Sequence, residues 1–337
     1  MIRIAINGYG RIGRSVLRAL YESRNRHATD RRLMQVVAIN EPADLSTIAH
    51  LTKYDSTHGR FGYDVQVEGS SLKIAGDLIA VSHHNTLDLL FWDDVDVVLE
   101  CSGCYPQHSE LSRHLNNGAR RVLLSQPGDT DLKTIIYGVN HSILEGSDYI
   151  VSAASCTSNC IVPVIATLDD AFGIESGVIT TIHSLMNDQP VLDGYHHTDL
   201  RKTRSASASI IPVDTGLAAG IERILPGLGN RFSARALRVP THNVSAMELA
   251  VQLRQIIDKD SVNSALRAAA HGGLANILGY SVEPLASIDY NHDARSGIVD
   301  GGETRVSGQL ASVLTWFDNE WAYANRMLDI VSHWTGL

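Results

Sequence analysis

Short β-branched runs alternate with helical patterns through the first half of the chain, as in a parallel sheet whose strands are joined by crossover helices. The strand-like runs are residues 2–7, 35–40, 95–99, 121–125 and 149–153. Between the first two, residues 11–23 set Ile12, Val16, Leu17 and Leu20 on one helical face, which predicts a helix lying on the sheet. A second helix is expected from Cys156 to about Leu168, with Gly173 suited to the turn beyond it. From Gly177 the texture changes: apolar runs at 178–182, 234–239, 246–253, 286–290 and 310–316 stand among loops with fewer helical stretches, and predict a mostly antiparallel sheet. Residues 321–334 return to helical spacing, with Ala324, Leu328, Val331 and Trp334 on one stripe.

At 337 residues the chain exceeds what one hydrophobic core usually serves, so two domains are expected. No internal repeat or Pro-rich linker separates them, and close packing follows. A formal charge of -9 and a pI near 5.9 argue against nucleic acid or an anionic membrane as the main partner. Met1 leads straight into Ile2, Ile4 and Ile6 without the charged and apolar regions of an export signal, and no apolar stretch is long enough for a membrane span. A soluble, cytoplasmic protein with reduced thiols is the expectation for its four cysteines.

Gly8-Tyr9-Gly10-Arg11-Ile12-Gly13 fits the G-x-G-x-x-G pattern directly after a strand and at the opening of a helix. Its glycines permit a tight turn and close approach of a pyrophosphate, whose charge the helix start favours. Taken alone the motif is a weak signal. The second strand, however, ends in Ile39-Asn40-Glu41, where a carboxylate can accept hydrogen bonds from both ribose hydroxyls and would repel a 2'-phosphate. The expected cofactor is NAD rather than NADP, and the expected fold class is α/β: a Rossmann-type doubly wound parallel sheet plus an α+β domain with a mostly antiparallel sheet.

Ser155-Cys156-Thr157-Ser158-Asn159-Cys160 follows a strand and starts a helix, so peptide dipoles and unpaired N–H groups there favour a thiolate at Cys156. A buried structural cysteine is the commoner fate of an intracellular Cys, but this position argues against it. His183 ends the apolar run 178–182 and would sit at the C-terminal edge of a strand. Cys101-Ser102-Gly103-Cys104 has the spacing of half a zinc knuckle or a redox pair, yet no second CxxC follows it. Cys160 reads as packing on the helix of Cys156, and His196-His197 as a solvated pair in a polar loop rather than a metal site. For Arg201-Lys202-Thr203-Arg204, a solvated basic run and a phosphate-facing one fit the spacing equally.

Eight ordered motifs, INGYGRIGR, INEPAD, KYDSTHGRF, SAASCTSNC, TTIHS, IIPVDTG, LRVPTHNVS and WFDNEWAYANRM, together resemble the glyceraldehyde-3-phosphate dehydrogenase superfamily over nearly the whole chain. The resemblance implies Cys156 as nucleophile and His183 as its base, holding the thiolate as an ion pair and later taking the hydroxyl proton of a hemithioacetal. It implies cofactor contacts at Gly8, Gly10, Arg11, Ile12, Gly13 and Glu41, with Ser125 near the nicotinamide end, Asn319 holding the carboxamide and Tyr323 close to the ring. Ser155, Thr157, Lys202, Thr215, Gly216 and Arg238 are implied as binders of the substrate and the attacking anion. It further implies a homotetramer, no metal, and two domains: 1–155 completed by the C-terminal helix 319–337 for NAD, and 156–318 for catalysis.

Within the superfamily several stretches resemble the erythrose-4-phosphate dehydrogenase branch. His183-Ser184-Leu185-Met186-Asn187-Asp188-Gln189 departs from the glycolytic HAYTxTQ-like pattern, with Met186 in place of a threonine that helps hold the substrate phosphate, and Pro190 stands where a basic residue is usual. Losing those polar groups weakens the hold on a three-carbon phosphate. Residues 290–293, 298–301 and 304–308 fit the same branch, whereas Lys202, where that branch tends to carry arginine, keeps the charge but loses the bidentate fork. The resemblance thus implies NAD-dependent oxidation of D-erythrose 4-phosphate to 4-phospho-D-erythronate through a Cys thioester, in pyridoxal 5'-phosphate biosynthesis. The rivals are the phosphorylating glycolytic reaction and, in another class, a non-catalytic NAD-binding regulator.

Overall fold

Ile4, Ala5 and Ile6 are wholly buried in β1 (Ile2–Asn7), as befits a short apolar run covered on both faces. The computed structural model of the chain describes residues 1–24, 30–196 and 199–336, so His197 and most of the polar stretch after the first helix lie outside the described residues. The chain forms two units, Met1–Ser155 with Tyr323–Leu337, and Cys156–Ala322.

In the first unit, α1 (Arg11–Arg24) buries Val16, Leu17 and Leu20 completely and leads through a short 3-10 turn into β2 (Met34–Asn40). Helix α2 (Leu45–Lys53) begins where the Asp44 side chain accepts from Thr47 N at 2.9 Å, an N-cap that satisfies one of its orphan donors. A two-residue ribbon, β3 (Tyr54–Asp55) and β4 (Gly59–Arg60), follows. Then comes an antiparallel meander that the sequence reading did not assign: β5 (Val65–Glu68), β6 (Ser71–Ile74) and β7 (Asp77–Ser82). Gly69 at φ 61° and Ala75-Gly76 at φ 52° and 91° supply the left-handed backbone of its tight turns. Strand β8 (Val97–Glu100), α3 (His108–Asn116), β9 (Arg121–Leu124) and β10 (Ile150–Ser152) complete the sheet, in the order β10-β9-β8-β1-β2-β7-β6-β5. All pairs from β10 to β7 are parallel. The strand order reverses at β1, and a doubly wound sheet opens its ligand crevice at the C-terminal ends of the strands flanking such a point.

The second unit starts with α4 (Cys156–Phe172), which runs past the expected end near Leu168 and stops at Gly173, whose φ of 69° suits a helix terminus. Its sheet comprises β11 (Ile174–His183), β12 (Ile211–Val213), β13 (Phe232–Arg238), β14 (Ser245–Leu253), β15 (Leu278–Ser281), β16 (Gly297–Ser307) and β17 (Leu310–Phe317). The order is β12-β13-β11-β14-β17-β16-β15, with parallel pairing only in β13/β11 and β16/β15, so the sheet is mostly antiparallel as expected. Helices α5 (Leu217–Ile224) and α6 (Lys259–His271) pack in the same unit. One expected strand is absent: within 286–290, Ser287–Tyr290 is a 3-10 turn. Asp289 accepts from Ala286 N at 2.8 Å, which takes up a donor that a strand ladder would have used. The last helix, α7 (Trp321–Thr335), belongs from Tyr323 onward to the first unit and wholly buries Ala324, Leu328, Val331 and Trp334, the stripe read from the sequence. Among the described residues no helix is long and apolar enough to cross a membrane, and no cluster of His, Cys, Asp and Glu has the grouping of a metal site.

Candidate active site

A cleft of about 250 Å³ opens where the first sheet reverses. Asn7, Gly8 and Gly10 line it from the end of β1, Asn40 and Glu41 from the end of β2, and Cys101, Ser102 and Cys104 from the end of β8. Gly8 has φ 85°, and a Cβ there would fall 2.4 Å from the backbone of Ser102, so only glycine lets the two loops close. A Cβ on Gly10 would meet no protein atom within 4 Å, which leaves that space for a ligand. Gly13 is needed for packing, since its Cβ would lie 2.4 Å from the Gly8 carbonyl oxygen. Glu41 accepts from Tyr9 N at 2.8 Å and from Ala43 N at 3.3 Å, which fixes its carboxylate at the rim. Glycine turn, helix start, open space at Gly10 and a fixed carboxylate at the next strand end suit the pyrophosphate and ribose of NAD.

Beneath this cleft lies a buried network that sequence spacing did not reveal. Glu100 accepts from Asn7 Nδ2 at 2.6 Å, Ser102 N at 2.8 Å and Ser102 Oγ at 2.5 Å, and meets His114 Nε2 at 2.9 Å. Trp92 Nε1 donates to His114 Nδ1 at 3.0 Å, so His114 Nε2 carries the proton directed at Glu100. The network ties the loop after β8 to the turn after β1. Arg11, at the start of α1, binds Asp55 through its guanidinium. Burial works against ionisation of Asp55, but the Arg11 hydrogen bond and the N–H groups of His58 and Thr57 hold its carboxyl at about 2. Ile12 is half-buried in the first turn of α1. Ser125 N donates to the Glu100 carbonyl at 3.0 Å, and Tyr323, nearly buried, donates its hydroxyl to the Ala154 carbonyl at 2.9 Å.

In the second unit Cys156 is the first residue of α4 and His183 the last of β11. The sulfur lies 3.9 Å from Nε2 of His183, whose Nδ1 donates to the Ser184 carbonyl at 2.9 Å. That bond selects the tautomer: the proton sits on Nδ1, and Nε2 faces the thiol as an acceptor. Burial pushes the Cys156 thiol up to about 11, against the opposing pull of the Thr157 N–H and the Arg238 charge. Burial, helped by Arg238, draws His183 down to about 4. Both shifts are led by burial and oppose the ion pair expected from the helix start, since desolvation acts against the charged form of each group. The arrangement can still pass the thiol proton to Nε2 once attack begins. Cys160 is wholly buried beneath β16, where a Cβ on Gly297 would lie 3.1 Å from its sulfur.

Arg238 is the register partner of His183 across the parallel β11/β13 pair, so both side chains leave the same sheet edge. Its Nη1 is buried without a hydrogen bond, 3.9 Å from a carboxylate oxygen of Asp188. Lys202, in a 3-10 turn, donates to the other Asp188 oxygen at 3.1 Å. Gln189 also holds both amide atoms buried without partners. Orphaned polar atoms of this kind cost about 1–3 kcal/mol each, and the two N–H donors, Arg238 Nη1 and Gln189 Nε2, suit an oxygen-rich anion. Thr215 caps the start of α5, accepting from Leu217 N at 3.3 Å, and Gly216 is the N-cap residue. Gly220 lets α5 close on the first turn of α4, a Cβ there lying 3.3 Å from Ser158 Oγ. Ser155 and Thr157 flank Cys156, with Ser155 closing the first unit. Asn319 Oδ1 accepts from Ser184 Oγ at 2.8 Å and Ser245 Oγ at 3.0 Å, so its amide nitrogen is the end left to donate. The roles of Asp188, Ser184 and Ser245 were not legible in the sequence because their partners lie 14 to 135 residues away, with no period to mark them.

Residues 2–108 match the family model described as glyceraldehyde 3-phosphate dehydrogenase, NAD binding domain. Residues 155–319 match glyceraldehyde 3-phosphate dehydrogenase, C-terminal domain. The first match covers the glycine turn and Glu41, and the second covers Cys156, His183 and Arg238. With NAD as its cofactor and oxidoreductase domains over most of its length, the chain belongs to the glyceraldehyde-3-phosphate dehydrogenase family.

Proposed function

We propose that the chain oxidises D-erythrose 4-phosphate to 4-phospho-D-erythronate by way of a thioester on Cys156, a reaction that feeds pyridoxal 5'-phosphate biosynthesis. The observation that carries the chemistry is the Cys156 sulfur 3.9 Å from an unprotonated Nε2 of His183. In this reading Sγ bonds to the aldehyde carbon while its proton passes to Nε2 and on to the carbonyl oxygen, giving a hemithioacetal. His183 then takes back the hydroxyl proton as hydride leaves carbon and the C=O of the thioester forms. NAD, when bound, supplies the hydride acceptor. Water adds to the thioester, the C–S bond breaks, the sulfur regains a proton and the acid departs. The N–H groups at the start of α4 stabilise the oxyanion in both addition steps. Ser155, Thr157, Lys202, Thr215, Gly216 and Arg238 are assigned to the substrate's oxygens and phosphate.

The choice of the four-carbon substrate rests on Met186 and Pro190 in the segment after His183, where polar groups that would hold a three-carbon phosphate are lost. Thr215 and Gly216 at the start of α5 favour a second reading, in which inorganic phosphate takes the acyl group of glyceraldehyde 3-phosphate. Purified protein with NAD and each aldehyde phosphate, assayed for NADH with and without inorganic phosphate, separates the two. Preference for the three-carbon aldehyde with strict dependence on phosphate would overturn the proposal. A non-catalytic NAD-binding regulator would keep its main activity after Cys156→Ser. We assign a homotetramer as well, supported by the strongly exposed Val191, Leu192, Tyr195 and Leu200, which suit a subunit contact. Light scattering after size exclusion tests this, and a monomer would exclude it.

A further inference from the structure

Asp188 is the acidic member of a three-charge cluster in the segment that follows His183. One of its oxygens accepts from Lys202 Nζ at 3.1 Å and the other lies 3.9 Å from Arg238 Nη1. Its side chain is 40% exposed, whereas those of Lys202 and Arg238 are 23% and 12% exposed, so the carboxylate stands on the solvent side of both cations. Burial opposes its charge, but the Lys202 hydrogen bond and the Arg238 guanidinium hold Asp188 below the usual carboxylate range. Arg238 is in turn close enough to Cys156 and His183 for its charge to act on both.

We propose that Asp188 is a specificity-determining residue whose carboxylate neutralises the Lys202–Arg238 pair and so excludes free inorganic phosphate from the thioester, leaving water as the acyl acceptor. Two cations and one anion leave a single net positive charge. One phosphate dianion, carried in on the substrate, already reverses that sum. A second dianion would then face net negative charge and the Asp188 oxygens at short range, where like charges repel strongly. Water carries no charge and meets no such barrier. With water, the new C–O bond replaces C–S and the acid leaves with loss of a proton. With phosphate, the same C–S bond breaks but an acyl phosphate leaves. The inference rests on the proposed thioester chemistry.

The test compares the wild type with Asp188→Asn, which keeps the shape and the hydrogen-bonding oxygen, and with Asp188→Ala as a second variant at this half-exposed position. Inorganic phosphate is titrated against the rate of Cys156 alkylation, with sodium chloride matching ionic strength, and the products of turnover are read by phosphorus NMR. The expected result is protection of Cys156 at about tenfold lower phosphate concentration in both variants than in the wild type, with an acyl phosphate appearing only in the variants. Equal protection in all three proteins overturns the role of Asp188. Wild-type turnover that requires phosphate overturns both this inference and the proposed hydrolysis. Phosphate-independent wild-type turnover with no gain in either variant overturns this inference alone.

Discussion

The cofactor cleft and the Cys156–His183 site are built in opposite ways. The cleft is shaped chiefly by backbone, with Glu41 at its rim: glycines at the end of β1, the start of α1 and strand ends brought together by a parallel sheet. The second site is made of side chains contributed by α4, β11, β13 and the loop that carries Lys202. A backbone site is tuned by the space it leaves, and a side-chain site by the water it excludes. In the first, burial brings loops into contact, and in the second it sets which atom holds a proton.

Breaking the side-chain site should have the largest effect. Cys156→Ser is expected to lower NADH formation by about 10³-fold or more while NAD affinity, measured by fluorescence titration, stays unchanged. His183→Asn should cost about 10²–10⁴-fold in kcat/KM. The pH behaviour sharpens the point. A thiol near 11 is protonated at neutral pH, so iodoacetamide should label Cys156 about tenfold faster per pH unit between 7 and 10. Rapid labelling that does not vary with pH would mean that a preformed ion pair is present.

Stability follows the same pair. His183, drawn from 6.5 to about 4, contributes stability that is present above its ordinary value and lost as pH falls through 4. Cys156, pushed from 9.0 to about 11, contributes stability present below 9.0 and lost as pH rises through 11. Denaturant melts of wild type and His183→Asn should therefore converge on the acid side.

The backbone site predicts a different response. Gly10→Ala should leave the melting temperature in place and weaken NAD binding about tenfold or more, since the added methyl meets ligand and not protein. Gly8→Ala should instead cost stability, through its positive φ and the clash with Ser102. If both variants merely lose stability, the open space at Gly10 is not the cofactor's. Glu41→Gln should narrow the preference for NAD over NADP, read from the ratio of kcat/KM values, and leave Cys156 labelling untouched. Tyr323→Phe should have the smallest effect, about 1 kcal/mol of stability for the lost bond to Ala154.

This contrast also explains what was legible in the sequence. The glycine turn, Glu41 and the helix opening at Cys156 are local, since each motif and its role share one stretch of chain. Most strands were legible because their apolar runs are short and buried. The meander β5 to β7 was not, because β5 and β6 are only four residues long and its turns hide in Gly69 and Ala75-Gly76. The strand expected at 286–290 failed where one aspartate side chain captured a backbone N–H. His183, Arg238 and Asp188 meet only through the register of β11 on β13 and a loop fold, and no spacing in one dimension encodes that. Family resemblance supplied the pairing of Cys156 with His183 and marked the segment that holds Asp188, but nothing supplied the contacts of Asp188 with Lys202 and Arg238.

The bond from His183 Nδ1 to the Ser184 carbonyl carries a consequence for how this chain can change. A carbonyl oxygen belongs to every amino acid, so no replacement at position 184 can delete the group that orients the imidazole. Where other enzymes entrust that task to a carboxylate that one codon change can erase, this ring is steered by a feature beyond the reach of point mutation. Drift at position 184 would be felt first through Asn319, which loses a hydroxyl partner.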